Sequence, residues 1–268
     1  MKIKNIYNSC DNFGKLTLVK NNSFKRIEKF FEGLPVDYST NYFYNKNSLK
    51  IYEMDRVYLS EDATGLYDPF ENIICVSDIK DALTHELIHM CSCDRISDKN
   101  KVIMFGEYKN KSEELYLISE GITEFLSALI DKREVDAYNL ECFVSRMLFI
   151  SDESMLKYYF NADNYGFLYK LYDEKDLMNI LYNLSYIVSS EYVDTPDEYR
   201  KSFHVLLNSL LNRELSKEKS AGRLLIYRDL FLELLKDEEI KDMLKENYKD
   251  YHNYARRLVD NKFGIRKW

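Results

Sequence analysis

The chain has 268 residues, 46% of them hydrophobic and 31% charged, which suits one large domain or two lobes and excludes a disordered chain. A net charge of −7 with a pI near 5.3 excludes broad binding to a phosphate backbone, which needs a basic surface. Five irregularly spaced cysteines make no disulfide framework, Met1 leads into a polar run, and no stretch approaches the roughly 20 apolar residues of a membrane span. The expected location is therefore intracellular, in the cytoplasm, with neither nucleic acid nor membrane as a partner.

Taken in order, the first part of the chain is mixed. Phe24 to Phe31 predicts a short helix with Ser23 as its N-cap, and Gly33-Leu34-Pro35 ends it. Tyr42-Phe43-Tyr44 and the run from Ile51 to Leu59 are rich in aromatic and β-branched residues and predict strands. Glu61 to Pro69 predicts a loop, because it holds Gly65 and Pro69. Asn72 to Val76 predicts a short apolar strand. Ser77 as N-cap and Asp78 at the positive helix end then start a helix that reaches Cys91. On it, Ile79, Leu83, Leu87 and Met90 share one side, and His85 and His89 share another.

Ser92 to Lys101 predicts a polar connection, followed by a short apolar piece from Val102 to Phe105. The next long helix is predicted from Glu113 to Asp131. Leu115, Ile118, Ile122, Phe125 and Leu129 form its apolar stripe, and Glu120 and Glu124 lie on the opposite side. Beyond it only helices are predicted, over 136–150, 155–160, 165–172, 176–190, 196–211, 224–235 and 238–259, with Pro196 well suited to a helix start. The expected fold class is α+β: a small strand-containing N-terminal lobe, residues 1–95, packed on a mainly helical C-terminal lobe, residues 96–268, with a zinc site at the junction.

The chemistry concentrates in Thr84-His85-Glu86-Leu87-Ile88-His89-Met90, which contains His-Glu-x-x-His. Residues four apart share a helix face, so His85 and His89 can offer imidazole nitrogens to one ion, with Glu86 beside them as a base for water. A catalytic zinc site takes three protein ligands, so a third must come from elsewhere. No histidine follows closely: the position where a metzincin would carry one is Arg95, and the next histidine is His204. Glu120 and Glu124 offer carboxylates instead, one to ligate and one to accept a hydrogen bond from a ligand histidine; Glu113 is a further carboxylate on the same helix. Gly121 between them allows close approach of another backbone or a substrate.

His85-Glu86-x-x-His89 followed by Glu120-Gly121-x-x-Glu124 resembles the gluzincin metallopeptidases, the thermolysin-like and aminopeptidase-N-like clan, over roughly residues 72–129. The resemblance implies Zn2+ held by His85, His89 and Glu120, with Glu124 supporting a histidine. It also implies a peptide or protein substrate and Glu86 as the general base for a metal-activated water. Thirty residues separate His89 from Glu120, more than is usual in those families, and Ser119 stands where they often have asparagine. The long gap implies an extra loop near the cleft. In the resembled families a tyrosine or histidine of the helical lobe stabilises the oxyanion. Candidates here are His204, Tyr186 and Tyr182, with Tyr138, Tyr192 and Tyr199 also in reach of that role.

The strand from Ile73 to Val76 is expected at the cleft edge, where an extended substrate could pair with it. Cys91 and Cys93 read as small packed thiols rather than ligands. His204 also reads as a structural histidine, since Phe203, Leu206, Leu207 and Leu210 give its helix an apolar stripe. Two other classes fit the motif: a zinc hydrolase of a non-peptide bond, and a non-catalytic regulatory or binding protein with a relict zinc site.

Overall fold

The computed structural model describes residues 14–15, 22–53, 59, 63–77, 79–98, 101–106, 112–152, 154–171, 174–188, 196–216 and 221–257. These residues are mostly helical and carry a small mixed sheet, so the fold is α+β. In order, the N-terminal elements are β1 (Gly14–Lys15), α1 (Asn22–Glu32), α2 (Thr40–Lys46), β2 (Lys50–Glu53), β3 (Gly65–Asp68), β4 (Ile73–Val76) and α3 (Ile79–Cys91). The hairpin β5 (Cys93–Asp98) and β6 (Lys101–Met104) follows, then α4 (Ser112–Asp131), α5 (Asn139–Ser151), α6 (Met155–Phe160) and α7 (Asn164–Gly166). The last helices are α8 (Glu174–Val188), α9 (Pro196–Ser216), α10 (Ala221–Leu234), α11 (Glu238–Leu244) and α12 (Tyr248–Arg256). No helix among the described residues is long and apolar enough to cross a membrane.

The chain forms two compact units. The first comprises Met1–Glu107, Thr123–Val135 and Leu156–Asn164; the second comprises Tyr108–Ile122, Asp136–Met155 and Tyr165–Trp268. Helix α4 is one unbroken helix that supplies residues to both.

In the first unit the strand order is β1-β2-β4-β3. β2 runs parallel to β4, and β3 pairs antiparallel with β4. All four residues of β4 are buried, as expected of an interior strand covered on both faces. Ile73 to Val76 was expected to accept an added substrate strand, but it is already paired on both sides, with β2 and β3. Among the described residues the sheet edges are β1 and β3, and β3 lies in a stretch read as a loop. Gly65 and Pro69 look like punctuation, but Gly65 is there because the strand passes close to a helix. Tyr42-Phe43-Tyr44 is helical rather than extended. Tyr42 packs on Phe31, with ring centroids 5.5 Å apart, and Asn45, one turn on, donates to the carbonyls of Met90 and Cys93 at 3.0 and 2.7 Å. These tertiary contacts outweigh the aromatic preference for strands.

Ser23 lies inside α1 rather than capping it, and its buried hydroxyl accepts from Arg26 and lies 3.0 Å from the Thr84 hydroxyl. The predicted polar connection after Cys91 is the β5–β6 hairpin; among its described side chains Cys93 and Met104 are buried and those between them are partly or fully exposed, so the strands carry little alternation. Of the strand predicted over 51–59, β2 covers the start and residues 54–58 lie outside the described residues; so does Asp78.

The second unit is helical. α5 crosses α4 at Gly121, where a β-carbon would run into the backbone carbonyl of Glu141 and reach the Ser145 hydroxyl at 2.5 Å. The predicted single helix over 238–259 is two helices, broken at Lys245, whose φ is +46°. Residues 167–171 form a wide π turn rather than continuing an α-helix.

Candidate metal centre

Helix α3 has no Gly or Pro, and it packs on β3, β4, α1 and α2. Leu83, Leu87, Ile88 and Met90 are buried, but so are Glu86 and His89, so the helix is enclosed nearly all round. The same holds for α4. Glu120 and Glu124 are 3% and 2% exposed, whereas Leu129 of the predicted apolar stripe is 55% exposed. Burying carboxylates at such a level requires charged or hydrogen-bonding partners.

Those partners are present. His85 and His89 lie one helical turn apart, with their Nε2 atoms 3.2 Å from each other and ring planes inclined at 68°. Each ring turns its other nitrogen to α4. His85 Nδ1 lies 3.2 Å from Glu124 Oε2, and His89 Nδ1 lies 3.3 Å from Thr123 Oγ1. An imidazole that gives its Nε2 lone pair to a metal carries its proton on Nδ1, where an acceptor must meet it. His85, His89 and Glu120 each bring a ligand atom to within 4.8 Å of the others. Two convergent imidazole nitrogens and a carboxylate make a group that could hold a metal ion.

Arg133, just beyond α4, clamps Glu124 with two hydrogen bonds, Nη1 to Oε1 at 2.6 Å and Nη2 to Oε2 at 2.9 Å. It also donates to Ser127 Oγ and the Glu134 carbonyl. Burial opposes ionisation of Glu124, but the hydrogen bonds and charges of His85 and Arg133 outweigh it and hold the carboxyl down at about 2. In Glu141, on α5, burial dominates. With repulsion from Glu120 and Glu239 added, it is pushed up to about 7 despite a hydrogen bond from its own backbone.

Glu86 shares the turn with His85 and is buried against Gly65 of β3. A β-carbon at Gly65 would lie 2.6 Å from Glu86 Oε1 and 2.8 Å from Glu86 Cγ. One residue before His85, Thr84 donates to Asp131 at 3.0 Å and meets the Ser23 hydroxyl at 3.0 Å, and Arg26 pairs with Asp131 at 2.9 Å. This ties α1, α3 and the end of α4 together beside the motif.

The remaining candidates have other surroundings. Tyr182 is 62% exposed, Tyr186 donates to Glu198 at 3.3 Å, and His204 is exposed with its ring 6.4 Å from that of Tyr251. Tyr138 is partly exposed and Tyr199 is buried. Tyr192 and the side chain of Glu113 lie outside the described residues. Cys91 is fully buried, donates to the Leu87 carbonyl, and has its pKa pushed well up by burial, as a packed thiol should.

Thr123, Arg133, Tyr159, Gly65 and Glu141 were not picked out from the sequence. Thr123 stands within Glu120-Gly121-Ile122-Thr123-Glu124, so its place on the ligand helix was visible. Arg133 is a basic residue just past a helix C-terminus, an ordinary pattern, and Tyr159 carries no local signal at all. No protein-family model, curated protein or solved structure matches the chain.

Proposed function

We propose that the chain is a zinc-dependent peptidase of gluzincin type, with His85, His89 and Glu120 as metal ligands and Glu86 as general base. The observation that carries this reading is the convergence of His85, His89 and Glu120 donor atoms within 4.8 Å, with Glu86 on the same helical turn as the first ligand. The donor set, two neutral nitrogens and one carboxylate, suits zinc, and both histidines have their distal nitrogens met by acceptors, as ligand histidines need.

When bound, zinc would supply Lewis acidity toward water and a substrate carbonyl. Glu86 would accept a proton from the attacking water and return it to the leaving amine. Its enclosed position beside Gly65 limits the carboxylate to a narrow range of placements. Glu124, kept ionised by Arg133, would hold the His85 ring in its ligand orientation. β3, at the edge of the described sheet, would let an extended peptide add as a further strand, starting beside Gly65 and hence beside Glu86.

The test combines zinc content with turnover of varied fluorogenic peptides for the wild type and Glu86→Gln. The expected result is one zinc per chain in both and turnover reduced by about a thousandfold or more in the variant. Unchanged turnover in Glu86→Gln refutes its role as base. Bound zinc with no activity on any peptide supports a non-peptide hydrolase or a binding protein, and no bound metal refutes the site itself.

A further inference from the structure

The two ligand histidines of the proposed site are supported in chemically different ways. Behind His85 stands a carboxylate clamped by a guanidinium. Behind His89 stands Thr123, whose hydroxyl lies 3.3 Å from His89 Nδ1 and 2.7 Å from the hydroxyl of Tyr159. Thr123 and Tyr159 have no exposed surface. A threonine oxygen has two lone pairs, so it can accept from the His89 Nδ1–H and from the Tyr159 O–H together.

Tyr159 is itself fixed from two sides. Its ring meets Phe105 edge-on at 5.2 Å and Phe160 edge-on at 5.1 Å. Phe105 directly follows β6. Gly106 N donates to Asn164 Oδ1 at 2.9 Å and Asn164 Nδ2 donates to the Met104 carbonyl at 3.1 Å, which fastens the foot of the hairpin to the segment carrying Tyr159. The hairpin fills part of the long gap between His89 and Glu120, so the inserted chain braces the ring behind a ligand rather than lying apart from it.

We infer that Thr123 and Tyr159 form a neutral hydrogen-bond arm that holds His89 in its Nδ1-protonated, metal-binding orientation and thereby sets the metal affinity of the site. The inference rests on the reading of His89 as a ligand. Both are positioning residues: neither offers an atom to the metal, and each acts through His89. The arm explains a feature the carboxylate support does not, namely why a threonine and a tyrosine hydroxyl meet in the buried interior one atom away from a histidine nitrogen.

The experiment is a zinc titration of the full chain against a chromophoric chelator, for the wild type, Thr123→Val, Thr123→Ser, Tyr159→Phe and His89→Ala. Circular dichroism of the metal-free proteins monitors folding. Thr123→Val is expected to weaken zinc binding about ten- to hundredfold, and Tyr159→Phe by at least about threefold, while Thr123→Ser retains wild-type affinity. Rescue by serine separates the hydroxyl's role from packing. Tyr159→Phe keeps the ring and its neighbours, so it reads the arm even where Thr123→Val fails to fold. Wild-type affinity in both Thr123→Val and Tyr159→Phe, with binding lost in His89→Ala, overturns the arm and leaves the metal site standing. Absence of zinc binding in the wild type, or its persistence in His89→Ala, overturns both.

Discussion

Replacing Gly65 by alanine would separate the placement of Glu86 from the holding of the metal. The nearest atoms to the added β-carbon are Glu86 Oε1 at 2.6 Å, Glu86 Cγ at 2.8 Å and Ala82 Cβ at 3.1 Å. Ordinary contact begins at 3.4 Å, so the carboxylate must retreat by about 0.8 Å. Because Cγ must move as well as Oε1, Glu86 has to turn about its first side-chain torsion, while Ala82 Cβ gives by a few tenths of an ångström. A rotamer change of this size costs about 1 kcal/mol, and the stiffer unfolded chain returns about 0.4–1 kcal/mol, since Gly65 has no left-handed backbone to lose. Tm should therefore move by no more than about 3 °C. A displacement near 1 Å in a catalytic group costs on the order of a hundredfold in rate, about 2.7 kcal/mol of activation free energy. The assay is turnover of a fluorogenic peptide beside zinc stoichiometry and thermal melting on the same preparations. A large loss of turnover with zinc and Tm retained is expected. Full turnover in a folded, zinc-loaded Gly65→Ala would refute the claim that β3 confines the base.

Gly121→Ala should behave in the opposite way. Its β-carbon meets the Glu141 backbone, which has no rotamer to change, so a loss of about 1–3 kcal/mol and a Tm lower by several degrees are expected in calorimetry. Arg133→Met should destabilise the metal-free protein by about 3 kcal/mol in urea titrations at neutral pH, because it strips the cation from a buried carboxylate. The acid limb gives a second readout. Glu124, held at about 2 against an ordinary 4.5, adds stability above pH 4.5 that is lost as pH falls toward 2. In Arg133→Met its pKa rises, so acid unfolding should begin at higher pH; an unchanged acid midpoint would contradict the clamp.

Local periodicity made the candidate ligands legible. The i, i+4 spacing of His85 and His89 and of Glu120 and Glu124 depends only on helix geometry, and both helices formed where they were expected. What surrounds those ligands depends on chain segments meeting from far away. Tyr159 is 36 residues beyond Thr123, and Gly65 is 21 residues before Glu86, so no window along the chain holds both partners. Composition misled in two places for the same reason: aromatic residues in α2 and a glycine in β3 answer to neighbours in space, not to local preference. The apolar stripe assigned to α4 was half right, since a helix enclosed on both sides needs polar residues inside as well as out.

Helix α4 carries Glu120, Thr123 and Glu124 within five consecutive positions, while α3 carries both histidines. The centre therefore has few degrees of freedom. In the proposed site, a slide or rotation of α4 against α3 would move Glu120 and both imidazole supports at once. Thr84, the residue before His85, and Asp131, the last residue of α4, join the same two helices. Strain at that joint would reach both helices, and with them every residue of the proposed site, through a contact that involves none of its donor atoms.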